Sequence, residues 1–215
     1  MAIGRETPVT FTTTTTAFTN TAGTYLILAC HHNESDGTFT GLTYDGSPFT
    51  LLKSQEVDGA NSFAQLWGLA NPSTGAHDIV ASGTAPYDRA YASSYTEAAL
   101  SSDTAAGASA TAATSVTTTI NIGTADSWVV AAVRNSAGSG QTNNGGVAEE
   151  LLIAAQEDLF WDSNGTVATG DQTVSYVRAA DNRNWGLATI SLSPPGAAVA
   201  TTSTSGRDFM LNGAS

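Results

Sequence analysis

Phe39-Thr40-Gly41-Leu42-Thr43-Tyr44-Asp45-Gly46-Ser47-Pro48-Phe49-Thr50-Leu51-Leu52-Lys53-Ser54-Gln55 decides the fold class. Two short runs rich in β-branched and aromatic residues flank Asp45-Gly46, a dipeptide that accepts the positive φ angles of a tight hairpin turn. Working outward, Tyr25–His32 is a continuous apolar run of strand length, as expected for a central strand covered on both faces. Before it, residues 8–18 are either a strand or a disordered Thr tract; Val9, Phe11 and Ala17 fall on one parity with Thr13 and Thr15, which fits a first strand. After it, residues 62–69 place Phe63, Trp67 and Leu69 on one side, and Asn71-Pro72-Ser73-Thr74-Gly75 forms a turn.

The pattern continues to residue 193. His77–Ser82 and Ala90–Ala98 read as strands, with Tyr91 and Tyr95 on one parity and small residues on the other. Residues 101–112 are small and polar without periodicity and read as a surface loop. Thr114–Ile122 and Ser127–Arg134 are strands, the second again apolar on both faces. Asn135–Gly146 reads as a contact-making loop. Glu149–Gln156 suits a strand better than two helical turns. Asp171–Ala179 and Arg183–Ser193 follow, joined through a hairpin turn at Ala180-Asp181-Asn182. Eleven or twelve short strands at hairpin-like spacing with almost no helix are the signature of an all-β sandwich, jelly roll or barrel, and an antiparallel β-sandwich, jelly-roll-like, is expected over residues 1–193. No repeat period stands out. Pro194-Pro195 cannot donate to a sheet ladder, so residues 194–215 are expected as an extended C-terminal arm.

Composition supports this and removes some partners. Hydrophobic residues are 41% and charged residues 12%, the opposite of a disordered chain. Formal charge is 7 − 19 = −12, with Lys53 the only lysine and six scattered arginines. Nucleic acid and anionic membrane are therefore poor partners, since both need clustered cations. No run approaches the ~20 apolar residues of a membrane span. No basic segment followed by an apolar one suggests an export signal. Cys30 is the only cysteine, so no internal disulfide forms.

Chemistry-bearing residues are sparse. His31-His32 with Glu34 and Asp36 invites a metal reading, but neighbours in a strand point to opposite faces. His77-Asp78 fails as a dyad for the same reason and lacks an accompanying nucleophile elbow. Glu149-Glu150 and Glu157-Asp158 are the carboxylate pairs a glycosidase would need, yet sequence neighbours are usually solvated. The Gly-rich stretches at 138–140 and 143–146 precede no strand–helix unit, so they cradle no phosphate. No cofactor, metal site or catalytic set is expected. Among the tryptophans, Trp67, Trp128 and Trp185 lie in apolar strand cores. Trp161 lies near the turn Asp162-Ser163-Asn164-Gly165 and is the expected exposed one. Trp161 with Asn143 and Asn144 is thus the candidate ligand-binding set, against the plainer reading of a rim aromatic.

One further likeness bears on function. Leu42-Thr43-Tyr44-Asp45-Gly46 followed by Phe49-Thr50-Leu51, then Leu66-Trp67-Gly68-Leu69-Ala70-Asn71-Pro72-Ser73-Thr74-Gly75-Ala76-His77-Asp78-Ile79-Val80, and the closing Trp185–Leu192, resemble jelly-roll-type β-sandwich modules. Such modules occur in tailed-phage virion proteins and in some bacterial surface proteins. The likeness spans most of residues 8–193 but consists of turn and core features, with no catalytic residues to carry over. It implies a virion structural protein, a decoration (cement) protein on a phage capsid or a tail or fibre component, located in the virion. Its partner would be the major capsid protein or another virion protein, and a homo-oligomer follows by analogy, a trimer suiting three-fold positions. The arm, outside the likeness, offers Arg207, Phe209, Met210 and Leu211 for docking on a neighbour, against the reading of a frayed terminus. The alternative is a carbohydrate- or receptor-binding module.

Overall fold

A computed structural model describes residues 2–11, 15–33, 39–57, 61–83, 89–136, 142–147, 150–155, 158–178 and 182–196. The strands are β1 (Gly4–Arg5), β2 (Val9–Phe11), β3 (Thr15–Asn20), β4 (Tyr25–Asn33), β5 (Phe39–Tyr44), β6 (Ser47–Pro48), β7 (Thr50–Val57), β8 (Ser62–Ala70), β9 (Gly75–Gly83) and β10 (Arg89–Thr96). They continue as β11 (Ala99–Ala113), β12 (Ser115–Ile122), β13 (Trp128–Asn135), β14 (Thr142–Gly146), β15 (Glu150–Ala155), β16 (Asp158–Asp162), β17 (Gly170–Val177) and β18 (Arg183–Ser193). All pairings are antiparallel and no helix occurs among the described residues. The all-β sandwich reading holds.

Four sheets stack as four layers. One outer sheet runs β3-β9-β5-β6 and lies on an inner sheet β1-β10-β4-β8-β7, in which β2 also pairs with β10. The second inner sheet runs β11-β18-β13-β16-β15 and carries the other outer sheet, β12-β17-β14. Three cores fill the gaps. Phe18, Leu26, Leu28, Leu42, Tyr44 and Ile79 fill the first. Ile27, Ala29, Tyr91, Val130, Phe160 and Ile190 join the two inner sheets. Val129, Ala131, Trp161, Val174, Tyr176 and Trp185 fill the third. The two apolar runs explain themselves in this stack: β4 and β13 are buried on both faces because each inner sheet has a neighbour on either side.

The chain is built twice, contrary to the expectation of no repeat. Reading β11, β18, β13, β16 and β15 for β2, β10, β4, β8 and β7 turns one inner sheet into the other. Reading β12, β17 and β14 for β3, β9 and β5 does the same outside. The registers coincide as well. Thr15 opposite Val80 through Asn20 opposite Gly75 recurs as Thr117 opposite Ser175 through Ile122 opposite Gly170. His31 opposite Ala64 recurs as Arg134 opposite Asp158, and Tyr25 opposite Tyr95 as Trp128 opposite Leu192. Even the irregularities repeat: the bulge between Leu51 and Lys53 returns between Leu151 and Ile153, and the break between β1 and β2 returns as the shift between Leu100 and Ala105. Both β8–β9 and β16–β17 connections begin with a positive-φ Asn, Asn71 or Asn164, and end at a positive-φ Gly, Gly75 or Gly170. Residues up to about 98 and from 99 onward are therefore two copies of one sandwich, joined through their inner sheets.

Several local expectations change. Residues 101–112 belong to β11: Gly107 lies against Lys53 and Gln55 of β7 while Ala106, Ala108 and Ala110 pack on the third core, so close neighbours on both faces take the place of large side chains. The first strand is two: β2 pairs in the inner sheet and β3 in the outer, so parity resets and Phe18 and Asn20 point inward instead of Ala17. Ala180 and Asp181 of the expected hairpin turn lie outside the described residues; the strands it was to join, β17 and β18, lie in different sheets. The expected loop over 135–146 shrinks, with Asn135 buried at the end of β13 and residues 142–146 forming β14. The Asp45-Gly46 turn stands as read, with φ 49° and 73° joining Tyr44 to Ser47. The hairpin lasts two pairs, after which the chain crosses to the inner sheet. Glu150–Ala155 is the strand expected there. The arm beyond Gly196 lies outside the described residues.

The halves meet most closely where β7 rests on β11 and β18. A Cβ on Gly186 would stand 3.0 Å from the Gln55 carbonyl oxygen and 3.2 Å from that of Glu56. One on Gly107 would meet Gln55 Oε1 and Lys53 Cε at 2.6 Å. Here glycine permits two backbones to approach. Elsewhere the gap between the inner sheets is filled by Tyr91, Tyr95 and Phe160, with Tyr91 and Phe160 stacked at 6.3 Å.

Candidate functional site

Among the described residues, buried acidic side chains of the second half meet polar groups of the first at the seam between the two halves. β16 runs Asp158-Leu159-Phe160-Trp161-Asp162, and its period-2 alternation puts both carboxylates on the face toward the first half. At one end, Asp162 Oδ1 accepts a 2.8 Å bond from Arg5 Nη1, and its Oδ2 accepts one of 3.0 Å from the Tyr95 hydroxyl. Asp162 is fully buried. Burial raises its carboxyl above the ordinary range against the pull of Arg5, and burial beside that carboxylate pushes the Tyr95 phenol well up.

At the other end, Asp158 Oδ1 lies 3.6 Å from His31 Nδ1 and 3.9 Å from Arg134 Nη1. His31 has 0% exposure, and neither ring nitrogen has a hydrogen-bond partner among the described residues. Its ring meets Tyr91 edge-on at 5.6 Å. Burial, then the nearby Arg134 and Arg89, hold the imidazole well below its usual range, so it stays neutral. His31 and Arg134 occupy equivalent positions in the two halves. A third knot lies at the amino-terminal edge, where the Glu6 carboxylate accepts bonds from the Thr21 and Ala22 amides and from the Ser94 hydroxyl. Burial opposes ionisation there, but these three donors outweigh it and lower the carboxyl. A cavity of about 550 Å³ adjoins this knot, lined by Arg5, Glu6, Thr7, Val9, Ala17, Thr19 and Thr21. Each carboxylate of the seam faces a cation or a row of donors, an arrangement that fixes geometry between elements.

The residues singled out in the sequence are distributed otherwise. Trp161 is not exposed. It is completely buried, packed at 5.7 Å on Tyr176, because β16 is covered by the outer sheet of its own half. A sugar cannot stack on it without opening that core, which corrects the expected platform. Asn143 and Asn144 lie in β14 rather than in a loop; their side chains are outside the described set. Arg207, Phe209, Met210 and Leu211 also lie outside it, as do Glu34 and Asp36 beside His31. No group of three potential metal ligands occurs among the described residues. His77 is a turn anchor: Nδ1 lies 3.2 Å from Asp45 Oδ1 and Nε2 3.1 Å from the Thr74 carbonyl oxygen.

Trp67, expected in the core, is the register equivalent of Trp161 yet only half-buried. Its Nε1–H donates to Gln65 Oε1 at 3.1 Å, and Gln65 in turn donates to Ser54. Half-buried Phe63 and Leu69 share its face, and Leu51, directly opposite on β7, is 43% exposed. Sequence reasoning placed the apolar alternation there correctly but had no sign that the outer sheet stops short of β7. The seam was legible in principle, since Asp-x-Phe-x-Asp at period 2 inside an apolar strand demands buried cations.

Comparison with known proteins yields no matching family model, no curated relative and no matching solved structure.

Proposed function

We propose that this protein is a structural component of a virion, a capsid decoration protein acting through many modest protein–protein contacts. The observation that carries the reading is the duplication: one chain presents the same sandwich twice, with Asp162 and Asp158 of the second copy set against Arg5, Tyr95 and His31 of the first. A doubled module suits multivalent attachment, because once one copy is seated the other meets its target at a much raised effective concentration. The resemblance of the Leu42–Val80 run to phage virion modules points the same way, and the acidic, lysine-poor surface suits a protein partner better than a polyanion.

The test is to purify particles with and without this protein and locate it by imaging, then titrate the purified protein onto bare capsids. Saturable density at repeated capsid positions is the expected result. A protein absent from particles that also ignores bare capsids would end the reading. Glycan or receptor binding is the second reading, and the half-buried Trp67 with its Gln65 amide, rather than Trp161, is the feature favouring it. A glycan array read against Trp67→Ala separates the two.

A further inference from the structure

The edge where the chain begins is built differently in the two copies. Arg5 pairs with Tyr95 and Val9 with Ala92, so three residues, Glu6, Thr7 and Pro8, stand opposite two on β10. One residue is left over, and the pairing breaks there. Glu6 crosses to the end of β3, where its carboxylate accepts from the Thr21 and Ala22 amides at 3.0 and 2.7 Å and from the Ser94 hydroxyl. Between this amino-terminal segment and β3 lies the cavity of about 550 Å³. Its size falls within the ~300–1,000 Å³ of small-molecule sites. The fold does not demand its lining. By register, Arg5, Val9, Ala17, Thr19 and Thr21 correspond to Leu100, Ala106, Thr119, Asn121 and Gly123. The second copy thus reaches the same topology without the guanidinium and without a hydroxyl at the places of Thr19 and Thr21.

The two charged groups that line the cavity are already engaged. Arg5 Nη1 donates to Asp162 Oδ1 at 2.8 Å, and Glu6 holds its three donors. An anion would compete with Asp162 for Arg5 and face Glu6 as well, and a cation would have to draw Glu6 away from the turn. The uncharged groups are the available ones. The hydroxyls of Thr7, Thr19 and Thr21 border the cavity and make no hydrogen bond within the described residues. Each hydroxyl has a donor and two acceptor lone pairs, so it matches a ligand hydroxyl in either sense. The threonine methyl groups, Val9 and Ala17 set apolar surface between them. A purely apolar ligand would cover three hydroxyls without satisfying them. The complement of this wall is an uncharged ring that carries several hydroxyls with C–H surface between them, which is a pyranose.

We propose that the cavity between the amino-terminal segment and β3 binds a neutral pyranose sugar, free or at the end of a glycan, through the hydroxyls of Thr7, Thr19 and Thr21. The site uses none of the residues around Trp67 and does not depend on capsid attachment. The test titrates the full chain by NMR with glucose, galactose, mannose and N-acetylglucosamine and with their methyl glycosides. Glucuronate and glucosamine serve as charged counterparts. At least one neutral sugar should give saturable shifts at the amides and methyl groups of Thr7, Thr19 and Thr21, and the charged sugars should not. Binding of the free sugar alone would make the ligand a monosaccharide, and binding of the glycoside would extend it to a glycan end; both support the site. Thr19→Val with Thr21→Val, at exposed positions, keeps the methyl groups and removes two hydroxyls. It should weaken binding about tenfold or more, the loss expected when two neutral hydrogen bonds go. Ala17→Phe, also at an exposed position, fills the cavity and should abolish the shifts while leaving every hydroxyl in place. Silence from all the neutral sugars, undiminished binding in either variant, or equally tight binding of a charged sugar overturns the proposal. Loss of binding in Trp67→Ala with these two variants unaffected overturns it as well, and places the sugar on β8.

Discussion

Trp67 and Trp161 occupy the same place in two copies of one sandwich, and their surroundings have diverged. In the second half the ring is enclosed between inner and outer sheets and touches Tyr176; in the first it is half-buried beside an exposed leucine. The difference separates what the fold requires from what each copy has been free to change. The fold requires a large apolar side chain next to the bulge on the edge strand. Complete cover over it is optional. Replacing each with alanine should therefore break the symmetry in a measurable way. Trp161→Ala should cost about 3–5 kcal/mol, the range for emptying a packed aromatic site. Trp67→Ala should cost about 1–2 kcal/mol, because solvent already reaches part of its surface. Denaturant unfolding of the two variants decides it; equal losses would mean the flank is as closed as the third core.

The seam sharpens the same comparison, since its polar residues are unequally shared. Asp162 is the register equivalent of Gly68, and Asp158 of Ala64, so the second half contributes these two acids together with Arg134, and the first supplies Arg5, His31, Tyr91 and Tyr95. Asp162→Ala removes a partner of the part-buried Arg5 guanidinium and of the buried Tyr95 phenol, and should cost about 3 kcal/mol. Thermal unfolding would report it, and an Arg5→Met, Asp162→Leu double variant should recover much of the loss, because neither charge is then stranded. On the opposite side of the joint, Gly186→Ala pushes a methyl group against the backbone of β7 and should cost about 1–3 kcal/mol. Loss of protection at Gln55–Val57 by hydrogen exchange would place the damage at the joint, whereas a uniform loss would argue for a fold-wide effect.

How much of this could be read from residues alone depends on the range of the signal. The Asp45-Gly46 turn, the Tyr25–Cys30 and Trp128–Val133 runs, and the paired tyrosines of β10 are local patterns, and each took the form expected. The duplication stayed hidden because it resides in registers and bulges, which survive almost complete replacement of side chains. Ala29 and Ala132 match across the copies, but Tyr91 matches Ala188 and His31 matches Arg134. Trp161 was misplaced for a related reason. Its turn-side neighbours, Asp162-Ser163-Asn164-Gly165, look like surface, yet Asp162 turns inward, its Oδ1 accepting from Arg5 Nη1 as well as from the Asn164 amide that opens the turn. The all-small β11 gives no periodicity to read, since its partners on β18 and β7 provide the bulk.

The smallest expected effect concerns the one seam residue able to change charge near neutrality. His31 faces Asp158 from β16, Arg134 from β13, Arg89 and Tyr91 from β10, and sits opposite Ala64 of β8. Its folded-state pKa lies below the value in the unfolded chain. Between the two, the unfolded chain binds a proton that the folded protein does not, so stability is complete above the unfolded value of about 6.5 and declines as pH falls below it. The slope can reach about 1.4 kcal/mol per pH unit. Asp162 acts in the opposite sense at lower pH, because its raised folded-state pKa makes the folded protein hold the extra proton. The useful quantity is thus the difference between wild type and His31→Gln, measured by denaturant unfolding at intervals from pH 7.5 to 5. Wild type should lose stability across that window and the variant should stay flatter. Parallel curves would mean that water or a conformational adjustment reaches His31 readily, and that the joint between the copies is looser than the packing of Tyr91 and Phe160 implies.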